Sequence, residues 1–98
     1  MIAYTPGATR QVDALIRHYE ERQRDEAVRA LLIALDTAER LIERNPAAGL
    51  AAPRPYPRLA RRTRAWVKAG RYWISYSIRP RPVIVAVFHD TADIPGRL

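Results

Sequence analysis

Residues 61–78 read RRTRAWVKAGRYWISYSI, and their period decides the fold. From Tyr72 to Ile78, side chains alternate with a period of two: Tyr72, Ile74, Tyr76 and Ile78 share one face, and Trp73, Ser75 and Ser77 the other. That alternation predicts a strand over 72–78. Arg61 to Ala69 reads as the strand before it, with Gly70-Arg71 in a tight turn between them. Downstream, Pro80-Arg81-Pro82 turns the chain again. Val83-Ile84-Val85-Ala86-Val87-Phe88 is apolar on both faces, the pattern of a central strand. Upstream of the loop that precedes the first of these strands, the period is 3.6. Ala8, Val12, Leu15, Ile16 and Tyr19 mark one amphipathic helix, entered through Thr5 as N-cap and Pro6 at the first helical position. Val28, Leu31, Leu32, Leu35, Ala38, Leu41 and Ile42 mark a second helix, with Asp25 as its expected N-cap and Asn45-Pro46 as its end. The short connection between them predicts antiparallel neighbours.

Ile2-Ala3-Tyr4 adds a short apolar start, expected as an edge strand. The order is therefore strand, two helices, then a three-stranded meander (β-α-α-β-β-β). The predicted class is α+β, with an antiparallel helical hairpin on one face of a small antiparallel sheet. Residues 46–60, with Pro46, Pro53, Pro55 and Pro57, read as a crossing loop rather than a domain linker, so residues 1–98 are expected to form one domain. A chain of 98 residues, 48% hydrophobic, is long enough to bury a core of its own. One helical hairpin covers one sheet face, so the other face is expected to be open and basic. The tail after Phe88 has no periodicity.

Composition narrows the chemistry. There is no cysteine, so no disulfide framework, thiolate cage or thiol nucleophile. His18 and His89 are the only histidines, which leaves no histidine-rich metal site, and no cofactor motif (Walker loop, GxGxxG, HExxH, GxSxG) is present. No apolar run reaches the ~18–20 residues of a membrane span, and the N-terminus does not read as a signal peptide, so a reduced, cytoplasmic protein is the expectation.

Charge is unevenly placed. Residues 1–45 hold seven arginines and eight carboxylates, whereas residues 46–98 hold ten cations and only Asp90 and Asp93. The whole chain carries a formal +7, and sixteen of its seventeen cations are arginine. Such a field attracts polyanions, and guanidinium groups suit phosphate and carboxylate. Arg61, Arg62, Arg64, Lys68 and Arg71 concentrate on one strand and its turn, interleaved with Trp66, Tyr72 and Trp73. Cations along a path beside aromatic rings are one way a sheet holds single-stranded RNA. A solvated edge strand with its aromatics in the core gives the same pattern. His89 ends the most apolar strand. There it could act as general acid in cleavage through a ribose 2′-hydroxyl, or serve structurally as a hydrogen-bonded strand end.

The layout resembles the RelE/ParE superfamily, the toxin halves of bacterial type II toxin–antitoxin modules. The residues that carry this are Tyr4-Thr5-Pro6-Gly7-Ala8, Val12-Asp13-Ala14-Leu15-Ile16 with Tyr19, and Asn45-Pro46. The basic strand around Arg64, Gly70 through Tyr76, and Val83 through His89 with Asp93 complete the set. The resemblance implies an acidic cognate antitoxin as partner, no cofactor, and one of two activities. RelE-type members are ribosome-dependent endoribonucleases acting on mRNA, for which Arg64, Arg71 and His89 would be the catalytic candidates. ParE-type members inhibit DNA gyrase without that catalytic set. Trp73 stands where the ribonuclease branch often has arginine, no tyrosine follows Tyr76, and residues 46–62 contain no glutamate to act as base. These departures favour the ParE branch and leave the ribonuclease as the alternative. Arg61, Arg62, Arg64, Lys68 and Arg71 are the expected contacts to target or polyanion under either activity.

Overall fold

A computed structural model describes residues 2–78 and 81–97. The chain begins with β1 (Ala3–Tyr4), α1 (Pro6–Glu21) and α2 (Asp25–Arg44). It continues through single 3-10 turns at Pro46–Ala48 and Pro57–Leu59 into β2 (Arg64–Ala69), β3 (Tyr72–Ser77) and β4 (Val83–His89), and closes with α3 (Ile94–Arg97). The sheet order is β1-β4-β3-β2. The β2–β3 and β3–β4 pairs are antiparallel, while β1 runs parallel to β4 and pairs only with Val83 and Ile84. The predicted class and element order hold, with one parallel pair making the sheet mixed.

Local chemistry explains the boundaries. Thr5 caps α1, its hydroxyl accepting the Ala8 N–H at 3.1 Å. Asp25 is not the cap of α2 as expected; it is the first helical residue, because Gln23 takes a left-handed φ of 54° and turns the chain one residue early. Asp25 and Glu26 still place negative charge at the positive end of the helix. The first meander strand starts at Arg64 rather than Arg61, since Thr63, at φ 62°, bends the chain out of the sheet. Gly70, at φ 55°, takes the first central position of the two-residue β2–β3 turn. Of the expected Pro80-Arg81-Pro82 turn, Pro80 lies outside the described residues.

A register shift at Ser75/Tyr76 inserts Val85 as the extra residue of β4. It explains why Ile84 and Val87, three apart, both join the helix-side core. That core contains Leu31, Leu35 and Ile42 of α2 together with Tyr72, Ile74 and Tyr76 of β3.

The opposite face is not open, which corrects the sequence expectation. Trp66, Trp73, Ala86 and Phe88 form a second core there, closed by Tyr56 and Leu59 from the proline-rich loop and by Ile94 of α3. A single apolar face of this size would otherwise meet water, and the loop and tail offer enough aromatic and aliphatic surface to cover it. The tail, aperiodic in sequence, becomes a four-residue helix for this purpose.

Candidate functional site

The expected basic contacts separate into two groups at opposite ends of β2. Arg61 and Arg62 are exposed and Arg64 is half-buried, and none of the three makes an ion pair among the described residues. Lys68 and Arg71, at the other end, share one carboxylate. Asp90 Oδ2 lies 3.0 Å from Arg71 Nε and 3.5 Å from Lys68 Nζ. The hairpin register creates this contact, since Tyr72 pairs with His89 and the Arg71 carbonyl accepts the Asp90 N–H at 2.7 Å.

Asp90 is the residue that sequence reasoning missed. Its signal was its position, the first carboxylate after Glu43 and one step beyond a strand paired with β3. Burial pushes its carboxyl up. The Arg71 hydrogen bond and the charges of Arg71 and Lys68 outweigh that, and the net effect holds it below the usual carboxylate range.

His89 Nδ1 accepts the Thr91 N–H at 3.2 Å and lies 2.8 Å from the Thr91 hydroxyl, with Asp90 Oδ1 at 3.3 Å. The Thr91 N–H contact requires a lone pair on Nδ1, so the neutral ring carries its proton on Nε2. The His89 ring also meets Tyr72 edge-on, with centroids 5.3 Å apart. His89, Arg71 and Asp90 thus form one cluster at the Gly70 end of the sheet. Arg64 does not join it. Five residue steps along β2, at about 3.3 Å each, place Arg64 about 17 Å from Ala69 and the turn.

The aromatic residues between the cations are core. Trp66, Tyr72 and Trp73 are each 3% exposed. Trp73 is flanked by the Arg54 guanidinium at 5.0 Å and by Lys68 Nζ at 5.6 Å from its ring centre, contacts in which cations cover a ring that a base would need. Tyr72 is tied through its hydroxyl to that of Tyr19, and burial followed by this hydrogen bond pushes its phenol well up. Of the two readings of this strand, the one with its aromatics in the core holds, and its surface offers charge without stacking faces.

A cleft of about 590 Å³ opens between α1 and the end of β4, with His18 and His89 both on its lining. His18 Nδ1 is bonded to Arg22 at 3.0 Å on the exposed side of α1. No group of three or more metal-ligating side chains occurs among the described residues, and no helix is long and apolar enough to cross a membrane.

Compared with known protein families, residues 2–94 match the family described as the ParE toxin of type II toxin-antitoxin system, parDE. No curated protein matches the chain.

Proposed function

This chain belongs to the ParE toxin family of type II toxin–antitoxin systems, and from that premise we propose that it arrests growth in the cytoplasm by inhibiting DNA gyrase and is neutralised by an acidic cognate antitoxin. The observation that carries this reading is the separation of Arg64 from Arg71 and His89 by about the length of β2, about 17 Å. Cleavage at a ribose needs base, acid and phosphate-stabilising cation within hydrogen-bond reach of one phosphodiester. Residues so far apart suit a binding surface better than a reaction centre. Arg71 is also committed to Asp90. Under this reading Arg61, Arg62 and Arg64, which have no internal carboxylate partner among the described residues, are the main contacts to gyrase-bound DNA or to the antitoxin. Lys68 and Arg71 add to the field as part of the Asp90 cluster.

Expression of the chain in growing cells, with and without the antitoxin, tests the proposal. DNA damage signalling should rise before protein synthesis falls, and the antitoxin should suppress both. Immediate loss of translation with intact DNA would instead favour a ribosome-dependent endoribonuclease.

A further inference from the structure

Helix α2 buries Leu31, Leu35, Ala38 and Ile42, and its opposite side carries a second stripe. Asp25, Arg29, Leu32 with Ile33, Asp36 and Arg40 recur there every three or four residues, and all of them are exposed. Leu32 is 50% exposed and Ile33 67%. A lone aliphatic side chain in water needs no partner. Here the charges on either side of the pair point to one.

The stripe is its own complement. Set a second α2 antiparallel to the first, with a twofold axis between Leu32 and Ile33. Leu32 then meets Ile33 of the other copy, Arg29 meets Asp36, and Asp25 meets Arg40, each contact occurring twice. The neighbouring arrangements fail on charge. A slip of about one helical turn sets Arg29 against Arg40 in one direction and Asp25 against Asp36 in the other. A parallel pair sets each charge against its own copy. Arg29 has no ion pair within the chain among the described residues, and Asp36 is held by Arg40 of its own helix at 3.1 Å. From Asp25 to Arg40 the stripe runs about 22 Å, long enough for two helices crossing at about 20°. This face is separate from the 590 Å³ cleft, which no residue of α2 lines.

We infer that the outward face of α2 binds a second copy of this chain, forming an antiparallel twofold dimer. Leu32 and Ile33 fill its centre, and the Arg29–Asp36 and Asp25–Arg40 pairs flank them. The apolar centre is small, so the charges fix register and partner while the affinity stays modest. Asp36 then lies between Arg40 of its own helix and Arg29 of the other copy. Arg61, Arg62 and Arg64 take no part in these pairs.

Sedimentation equilibrium of purified toxin, freed of antitoxin, tests the dimer. The parent should dimerise reversibly. Arg29→Glu sets carboxylate against carboxylate, and Asp36→Arg sets cation against cation. Each should weaken the dimer by about tenfold or more with circular dichroism unchanged. Mixed in equal amounts, the two variants should pair with each other about as tightly as the parent does, because both contacts of the mixed dimer again join opposite charges. Ile33→Gln, neutral and exposed, should weaken the parent dimer without any change of charge. The inference is overturned if the parent stays monomeric at about 1 mM, if Arg29→Glu or Asp36→Arg dimerises as the parent does, or if their mixture is no tighter than either alone. Loss of antitoxin binding in Ile33→Gln, with the parent toxin monomeric, would assign this face to the antitoxin and also overturn it.

Discussion

Trp66 and Phe88 stack on the sheet face turned away from the helices, their ring centroids 6.3 Å apart and their planes at 22°. The pair is the centre of the second core, and Tyr56, Leu59 and Ile94 complete it. Truncating a buried aromatic leaves a cavity, so Trp66→Ala or Phe88→Ala should each cost about 3–5 kcal/mol in urea unfolding. Variants with unchanged midpoints would show that this face contributes little to folding.

The cluster around Asp90 predicts a pH dependence. Its carboxyl is held below the usual range in the folded protein, so it contributes stability that is fully present above the unfolded value, near pH 4. That contribution is lost as pH falls through the folded value. Asp90→Asn should therefore lower Tm at pH 7 and flatten its decline between pH 4 and 2. A parallel acid decline in parent and variant would contradict the role given to Arg71 and Lys68.

Gly49 is packed too tightly to carry a side chain. A Cβ there would lie 2.8 Å from the Ala65 Cβ and collide with the Tyr76 hydroxyl, which donates to the Pro46 carbonyl at 2.6 Å. Gly49→Ala should destabilise the protein by about 1–3 kcal/mol through overpacking. Tyr76→Phe, which removes one hydrogen bond, should cost about 1 kcal/mol. Equal stability of Gly49→Ala and parent would refute the close approach.

Arg61, Arg62 and Arg64 have no ion-pair partner in the fold among the described residues, so replacing all three by Gln should change stability by less than about 1 kcal/mol. The same variant should show weaker toxicity and antitoxin binding, with a shallower salt dependence. Unfolding of the triple variant, or undiminished killing, would count against these positions as the contact surface.

His89 is bonded to Thr91 and packed on Tyr72 in a structural arrangement. His89→Ala should leave killing intact at equal folded concentration, checked by circular dichroism. Loss of toxicity with unchanged folding would mean that a proton is transferred there.

The helical hairpin and β3 were legible because each has a clean period, from Val28 through Ile42 for α2 and from Tyr72 through Ser77 for β3, and β4 was legible as an unbroken apolar run from Val83 to Phe88. What was hidden arises between segments distant in sequence. Tyr56 and Leu59 sit among prolines in a stretch with no period, and Ile94 in an aperiodic tail, so nothing local announces that they close the face of Trp66 and Phe88. Asp90 was visible only as the residue after His89. Its contacts to Lys68 and Arg71 depend on strand register, which a one-residue slip would abolish. Gln11, on the flank of α1, carries no sequence mark of bonding to Val87, 76 residues away.

The central claim is a toxin that binds its target and does not cleave RNA. The most direct measurement adds purified toxin, freed of antitoxin, to two parallel reactions, DNA supercoiling by gyrase and translation of a defined mRNA on ribosomes. Supercoiling should stop at stoichiometric toxin while the ribosome-bound message stays full length. Cleavage of that message with supercoiling unaffected would contradict the account.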